Sequence, residues 1–405
     1  MKALIIGGGI AGPSAAMALQ RADIDATVYE SHSGGADNVG IFMTLGSNGI
    51  DALRSIDADA PAVAAGFPTP GIDMVSTTGK TLGQVRTSRP DGDLTSRTLK
   101  RADLYSALRD EALRRGIDIQ YGKRLVDVKD TGNGIRAIFA DGTEEHGDLL
   151  IGCDGLHSTV RTLIDPTAPA PAYSGLIGLG GYTRGVPVNT PAGSYQMMFG
   201  KHAFFGYAPA PDGEVWWFVN LPRPSEPARG ELEGTGAEQW RSHLTELFAD
   251  DAGPAAELIR ASHEILPASP VHAMMGVPAW HRGRIIAIGD AAHAPSPTSG
   301  QGASLSIEDA VELAKALRDL PTIEGAFAAY ETLRRPRVEQ IVKQAARINN
   351  NKAAGPIGRV SRDLMMPLIL PRLANSKHTR QTYGYHIDWD TPTATTANSG
   401  APARN

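Results

Sequence analysis

Short apolar runs alternate with amphipathic segments along much of the chain. The run Leu4–Ile6 ends in a glycine-rich turn, and apolar residues then recur through residues 13–21, which predicts a strand followed by a helix. A second strand is predicted at Ala26–Glu30, and a similar apolar run returns at 284–288. Residues 101–115 carry leucines on one helical stripe and predict another helix. Buried strands interspersed with helices indicate an α/β protein with a parallel sheet.

The pattern changes in the second half of the chain. Short strands recur within 166–275 and predict a second domain based on a sheet, with a pair of helices near 237–261. A helix is predicted from 304 to 317, opened by Ser306 and Asp309 as a capping box. Residues 322–375 have a helical pattern, and prolines are expected to break it at positions 336, 356, 367 and 371.

Composition narrows the class of protein. The 405 residues carry a net charge of −5, which gives no indication of a nucleic-acid partner. Cys153 is the single cysteine, so an intrachain disulfide and a cysteine zinc cluster are excluded and no metal site is predicted. No run of eighteen apolar residues predicts a membrane span, and Met1 leads directly into a strand rather than a signal peptide, so a cytoplasmic location is expected.

One segment departs from the acidic balance of the chain. Residues 331–380 contain 11 Lys and Arg against 3 Asp and Glu, a local excess of +8. A solvated basic helix face is favoured over a dedicated anion site as its explanation. The tail from Thr391 onward is rich in Ala, Thr and Asn and is predicted to be disordered.

The first turn carries a dinucleotide-binding pattern. Gly7, Gly9 and Gly12 have the G-x-G-x-x-G spacing between a predicted strand and a predicted helix. In that arrangement the glycines permit a tight turn, a close pyrophosphate and close packing of helix on strand. Glu30 ends the next strand, 18 residues after Gly12, where an acid accepts hydrogen bonds from ribose hydroxyls.

Two later stretches have related chemistry. Residues 152–161 and 289–302 each place an aspartate, Asp154 or Asp290, where a predicted strand stops, among small residues that let a ligand approach the backbone. Ligands of open α/β sheets bind at the carboxyl ends of the strands. The three stretches are therefore predicted to converge on one extended ligand.

With these motifs in this order, the chain resembles the single-component FAD-dependent aromatic hydroxylases, the p-hydroxybenzoate hydroxylase family of group A flavoprotein monooxygenases. It is most similar to the branch of urate hydroxylases and tetracycline monooxygenases. The resemblance implies FAD as cofactor, NAD(P)H as a transient electron donor, and hydroxylation of an aromatic or polycyclic small molecule with O2 through a flavin C4a-hydroperoxide. The cofactor-binding residues that it implies are Gly7, Gly9, Ala11, Gly12, Glu30, Ser31, Thr44, Arg101, Leu125, Asp154, Gly155, Asp290, Pro297, Gly300, Gln301, Gly302, Ala303 and Ser304.

Pattern and resemblance together predict the domain organisation. A Rossmann-like FAD-binding domain is expected to consist of residues 1–75, 100–165 and 276–345. A β-sheet substrate domain of residues 76–99 and 166–275 would be inserted into it. C-terminal helices would follow at 346–390, and the disordered tail at 391–405.

Candidates for the chemistry beyond the cofactor are less sharply marked. His202 falls where urate-type relatives carry a catalytic arginine, so it is a candidate that disfavours urate as substrate, and Arg184 is a second candidate. An apolar substrate cavity is predicted from Tyr182, Met198, Phe204, Tyr207 and Trp217, although core packing explains each of these equally well. His293 is expected to organise its loop, and Cys153 to be a buried small residue.

Other functions stay open at this point. A flavin-dependent halogenase would carry a W-x-W-x-I-P element, which Trp216 and Trp217 do not match. A flavin-dependent reductase and a non-catalytic FAD-binding partner protein are the remaining alternatives. A monomer or a homodimer is expected.

Overall fold

The computed structural model describes residues 1–34, 40–89, 94–350, 356–374 and 376–393. The strands are β1 (Lys2–Ile6), β2 (Asp25–Glu30), β3 (Phe42–Leu45), β4 (Phe67–Pro68), β5 (Gly71–Ser76), β6 (Thr81–Arg86), β7 (Arg97–Lys100), β8 (Asp118–Tyr121), β9 (Leu125–Asp130), β10 (Ile135–Phe139), β11 (Glu144–Gly147), β12 (Leu149–Gly152), β13 (Ala172–Thr183), β14 (Gln196–Phe199), β15 (Phe204–Pro209), β16 (Val215–Pro222), β17 (Ser262–Ile265), β18 (Ser269–Ala273), β19 (His281–Arg282) and β20 (Ile285–Ala287). The helices are α1 (Ala11–Arg21), α2 (Ser47–Arg54), α3 (Asp59–Ala64), α4 (Arg101–Arg114), α5 (Thr159–Ile164), α6 (Ala237–Leu247), α7 (Ala255–Arg260), α8 (Gly302–Asp319), α9 (Ile323–Asn350), α10 (Pro356–Ala374) and α11 (Lys377–Tyr383).

A six-stranded sheet forms the first layer, in the order β19-β20-β12-β1-β2-β8. β1 lies parallel to both β12 and β2, and β20 lies parallel to β12. Leu4 and Ile5 are fully buried in β1, as expected for a strand covered on both faces. Its strands come from distant parts of the chain, because β1, β12 and β20 are neighbours in the sheet but far apart in the sequence.

A second, larger sheet follows the path β17-β13-β16-β15-β14-β5-β6, with β18 also paired to β13. One of its faces packs on α6 and α7, and the other faces β3, β4 and α10. The predicted domain boundary between residues 75 and 76 falls inside β5, which pairs with β14 and so belongs to this sheet. The pairing partner of β5 in this sheet, β14, lies more than 100 residues away along the sequence, so no local pattern marks this boundary.

The C-terminal helices differ from their prediction. α9 continues through Pro336, and α10 continues through Pro367 and Pro371, so these prolines break neither helix. α8 begins at Gly302 rather than at Ser304, and Ser306 is buried inside the helix instead of capping it. The serine–aspartate spacing of a capping box was therefore misleading.

Buried charges join α8 to α9. Arg334 is fully buried and lies 2.7 Å from both Glu308 and Asp309, which are also fully buried. Arg337 adds a second cation, 2.7 Å from Glu308. An ion cluster of this kind tolerates no missing member, because the remaining charges stay buried without compensation.

The end of the described chain is attached to the helices. The backbone N–H of Thr393 donates to Asp319 over 2.7 Å, so the predicted disorder does not begin at residue 391. Residues 394–405 lie outside the described residues. Among the described helices, none is both long and apolar enough to cross a membrane.

We expect Arg334→Met to lower the free energy of unfolding by about 3–5 kcal/mol, because two buried carboxylates lose their cation while most of the side-chain volume is kept. Urea unfolding followed by fluorescence measures the change. Lys343→Met on the same helix is the control, because Lys343 is exposed, and it should change stability by less than about 0.5 kcal/mol. Equal effects of the two substitutions would contradict the role of the buried cluster.

Candidate functional site

Backbone crowding explains the glycines of the first turn. Gly7 has a φ of +105°, and a Cβ there would lie 2.3 Å from the carbonyl oxygen of Cys153. A Cβ on Gly12 would lie 2.0 Å from the carbonyl oxygen of Gly7. Only glycine at position 12 therefore lets α1 pack this close to β1. A Cβ on Gly9 would meet nothing within 4 Å, which leaves room for a ligand. No side chain caps the N-terminus of α1, so its N–H groups are available to phosphates.

Glu30 closes this turn on its outer side. Its carboxylate accepts hydrogen bonds from the backbone N–H of Gly8, over 2.7 Å, and of His32, over 2.8 Å. Burial opposes ionisation, yet these N–H groups hold the pKa of Glu30 below its ordinary value. The N–H of Lys123 donates to the Glu30 carbonyl, and this brings the segment that leads to Leu125 beside the acid. An ionised acceptor therefore stands at the position expected for ribose recognition.

The second loop follows β12. The carboxylate of Asp154 accepts hydrogen bonds from the hydroxyl of Ser158 and from the backbone N–H groups of Thr159 and Val160, so it caps α5. Burial raises the pKa of Asp154. Gly155 has a φ of +73° and open space around its Cα, so the loop leaves room there. Sequence reasoning missed these contacts of Asp154 with the start of α5, whose N-cap residue, Ser158, accepts the N–H of Arg161.

The third loop follows β20. Burial raises the pKa of Asp290, and the positive charge of Arg101 opposes that rise. A Cβ on Gly302 would lie 3.8 Å from the Asp290 carboxylate, so the aspartate faces the first turn of α8. The carboxylate of Asp309 accepts from the N–H of Gly289 over 3.0 Å and contacts His293 Nε2 at 2.5 Å. His293 thus organises the loop, as predicted.

The N-terminus of α8 is tied to the segment that contains β3. Ser304 is fully buried, and its hydroxyl accepts the N–H of Gly46 over 3.1 Å. The side-chain oxygen of Gln301 accepts from the amide of Asn48 over 3.0 Å. Gly300 has a φ of +61° and open space, in the loop that begins with Pro297. Thr44, predicted near the cofactor, shares a 2.9 Å hydrogen bond with Thr98.

The three loops meet at one edge of the six-stranded sheet. β2, β1, β12 and β20 are neighbours and run parallel, so their carboxyl ends lie side by side. The N–H of Cys153 donates to Ile6, and the N–H of Ile288 donates to Gly152. Open space at Gly9, Gly155 and Gly300, the free N-terminus of α1 and the acid Glu30 all fit an extended dinucleotide. The predicted convergence is confirmed.

An aromatic face of the large sheet lies next to β3. Phe42 packs against Trp216 and Phe218, with ring centroids 5.8 Å apart in both pairs, and against Tyr195 at 5.5 Å. This aromatic face consists of Phe42, Phe67, Tyr182, Tyr195, Phe199, Phe204, Trp216 and Phe218. β3 carries Phe42 toward this face, and Asn48, three residues after the end of β3, contacts Gln301. The aromatic face is thus physically continuous with the third loop.

The predicted substrate residues divide between the two faces of the sheet. Tyr182 and Phe204 belong to the aromatic face. Met198, Tyr207 and Trp217 lie on the opposite face and pack with α6 and α7, so they do not share a face with Tyr182 and Phe204. Neighbouring positions of a strand point to opposite sides, and the sequence did not indicate which side met the first domain.

A buried ion pair borders the aromatic face. Glu214 is 6% exposed, and its carboxylate lies 2.9 Å from Lys100 Nζ and accepts from Trp216 Nε1 over 2.8 Å. Burial opposes ionisation, but Lys100 and Trp216 hold the pKa of Glu214 below its ordinary value. Lys100 Nζ also lies 4.2 Å from the centre of the Tyr182 ring. Sequence reasoning missed this pair, and only the position of Lys100 just before Arg101 hinted at it.

The two predicted catalytic residues are exposed. Arg184 pairs with Asp212 over 2.7 Å and lies 3.4 Å from Glu214, at the rim of the aromatic face. His202 lies in the turn between β14 and β15. Among the described residues, no hydrogen bond or ion pair joins either side chain to the three loops, so their catalytic role stays a prediction.

Comparison with known proteins adds to this geometry. An aurachin C monooxygenase/isomerase of Stigmatella aurantiaca is 28% identical over 351 residues, which cover 85% of this chain and 88% of that relative. An FAD-dependent urate hydroxylase of Klebsiella pneumoniae is 28% identical over 352 residues, with the same shares of both chains. The crystal structure of Klebsiella pneumoniae HpxO complexed with FAD and uric acid has a TM-score of 0.83 and 25% identity, and the match covers 94% of this chain and 96% of that one.

The convergent loops and these likenesses define a flavoprotein of the group A type. Residues 1–345 match the family described as FAD binding domain, and the chain belongs to that family. It is an FAD-dependent monooxygenase with the fold of that class, and FAD is its cofactor. The fold, enzyme class and cofactor predicted from the sequence are confirmed.

We expect Glu30→Ala to weaken FAD binding by about 10- to 100-fold, the equivalent of about 1.5–3 kcal/mol for lost hydrogen bonds to a charged acceptor. Titration of the protein freed of flavin, followed by flavin fluorescence, gives the dissociation constant. Asp25→Ala is the control on the same strand, because Asp25 is exposed at its other end. Unchanged affinity in Glu30→Ala would show that this acid does not bind the ribose.

Proposed function

We propose that this enzyme uses NAD(P)H and O2 to hydroxylate an aromatic or polycyclic small molecule bound against the aromatic face. The observation that carries the proposal is the continuity from Gln301 through Asn48 and β3 to Phe42 and Trp216. These contacts connect the cofactor loops to the aromatic face. A planar aromatic compound matches such a wall in shape and polarity.

The protein's own groups have clear tasks in this reaction. FAD bound at the three loops and reduced by NAD(P)H would supply the O2 chemistry, in which one oxygen atom of O2 enters the substrate and the other leaves as water. The N-terminus of α8, which no side chain caps, directs its positive end toward the third loop and favours negative charge there. Asp290 orients polar groups of the cofactor, and the buried rings exclude water from the substrate. Lys100 and Glu214 supply a fixed charge pair at the border of the aromatic face.

The electron donor is proposed to bind without a domain of its own. The sequence has one G-x-G-x-x-G motif, and FAD accounts for it. NAD(P)H would then bind transiently and leave before oxygen is transferred.

Uric acid, which is bound in the HpxO structure, is a useful probe. His202 in place of the arginine of urate-type relatives disfavours urate as the substrate.

We expect the purified protein to contain FAD and to consume NADPH or NADH faster when a suitable aromatic compound is present. The assay screens phenolic, N-heteroaromatic and polycyclic compounds, including uric acid, under air. Reaction under ¹⁸O₂ with mass analysis of the product then tests oxygen transfer. Product without the label would indicate a reductase, a halogenated product formed with halide would indicate a halogenase, and a bound flavin that NAD(P)H never reduces would indicate a non-catalytic role.

Neighbouring tryptophans give a matched test of the substrate face. We expect Trp216→Phe to raise KM for the best compound by about 10-fold, because the ring next to Phe42 loses contact area and its bond to Glu214. Trp217→Phe should leave KM unchanged and lower thermal stability, because Trp217 is buried against α6 and α7 and donates to Ser262. The reverse pattern would place the substrate on the other face.

A further inference from the structure

Helix α10 presents an apolar stripe to solvent. Val360, Leu364 and Leu368 follow one another at intervals of four residues, and Met365 and Ile369 form a parallel row. Their exposed fractions run from 40% at Ile369 to 66% at Leu368. Residues four apart lie on the same side of a helix, so the five side chains make one contiguous surface. We call these five residues the outer stripe. Contiguous apolar surfaces of this kind mark interaction sites.

The opposite side of α10 is fixed to the protein. Leu370 is buried, and a Cβ on Gly83 of β6 would lie 2.9 Å from its Cβ, so helix and strand are in close contact. The Arg362 guanidinium lies 4.4 Å from the centre of the Phe199 ring. Lys80 donates to the carbonyl of Asp363 over 3.4 Å. These contacts fix the orientation of α10. The outer stripe therefore faces solvent because the opposite side of the helix is packed on the protein.

The charge of the surrounding segment indicates which kind of partner the outer stripe binds. Residues 341–380 contain eight Lys and Arg and a single acid, Asp363, a net charge of +7. The whole chain has a net charge of −5, so the remaining residues sum to −12. Asp363 is itself paired with Arg362 at 3.0 Å. Arg372 is exposed on the last turn of α10, on the same side as the outer stripe. An apolar stripe within a basic segment of an otherwise acidic chain is complementary to an anionic, apolar partner.

We propose that the outer stripe docks this enzyme on the surface of an anionic lipid bilayer, with α10 lying in the plane of the interface. Helices with an apolar face and basic neighbours bind in this way, and anionic headgroups attract each nearby Lys and Arg. A second copy of the chain is a poorer occupant, because a two-fold contact would set two segments of +7 against each other. The proposal concerns a surface and does not depend on the substrate of the enzyme.

The test is flotation of the full-length, FAD-loaded protein with lipid vesicles. We expect about tenfold more protein to float with phosphatidylcholine vesicles that contain about 40% phosphatidylglycerol than with phosphatidylcholine alone. Raising NaCl from about 0.05 M to about 0.5 M should remove most of the difference, because salt screens the attraction to the headgroups. Absence of binding to the anionic vesicles would overturn the proposal whatever the state of the variants.

Two variants locate the surface. Leu364→Gln combined with Leu368→Gln should lower vesicle binding about tenfold, because it removes apolar area from the outer stripe. Leu113→Gln on α4 is the matched control, because Leu113 is also an exposed leucine, at 47%, and it should bind as the parent does. FAD content confirms folding of both. Vesicle binding equal to the parent in the double variant, or a dimer in light scattering that the double variant dissociates, would overturn the proposal.

Discussion

Backbone crowding at the turn after β1 is the constraint on which the rest of the site depends. The carbonyl of Gly7 leaves no space for a side chain at position 12, and the backbone of Cys153 leaves no space for a side chain at position 7. This contact brings the N-terminus of α1 to the edge of the sheet and holds the second loop against it. A Cβ at either position would lie 2.0–2.3 Å from a carbonyl oxygen, so helix, strand or loop would have to move apart. The expected contacts of the dinucleotide with the N-terminus of α1 and with Glu30 would then be disturbed.

Buried charged side chains of α8 and α9 support the same edge of the sheet. Asp309 reaches the third loop through Gly289 and His293 while it pairs with Arg334 of α9. Glu308, one residue earlier, pairs with Arg334 and also accepts from Asn48 over 2.6 Å. Two adjacent acids of α8 thus connect the cofactor loop, the segment after β3 and the long C-terminal helix. The position of the third loop is therefore supported by buried ionic contacts between α8 and α9.

How far the sequence predicts this protein depends on how local each signal is. The glycine turn, the acid after β2 and the loops after β12 and β20 were predicted because each is a short motif at the end of an apolar run. Glu214 and Lys100 were missed because they are more than 100 residues apart in sequence and meet only through the fold. The five predicted substrate residues lie on two faces of the sheet, because the sequence alternation fixes which residues of a strand share a side but not which side faces inward. The helix breaks predicted at prolines inside α9 and α10 do not occur, because tertiary contacts outweigh local helix propensity.

The alternation along β16 has a consequence for how such an enzyme diversifies. Trp216 and its neighbours on one side contact the aromatic wall, whereas Trp217 and Val219 on the other side belong to the core beneath α6 and α7. With the substrate against the aromatic face, as proposed, substitutions on the first side would alter which molecules fit and leave the supporting core intact. New substrate ranges would then be accessible by exchanging every second residue of a strand, without loss of the scaffold.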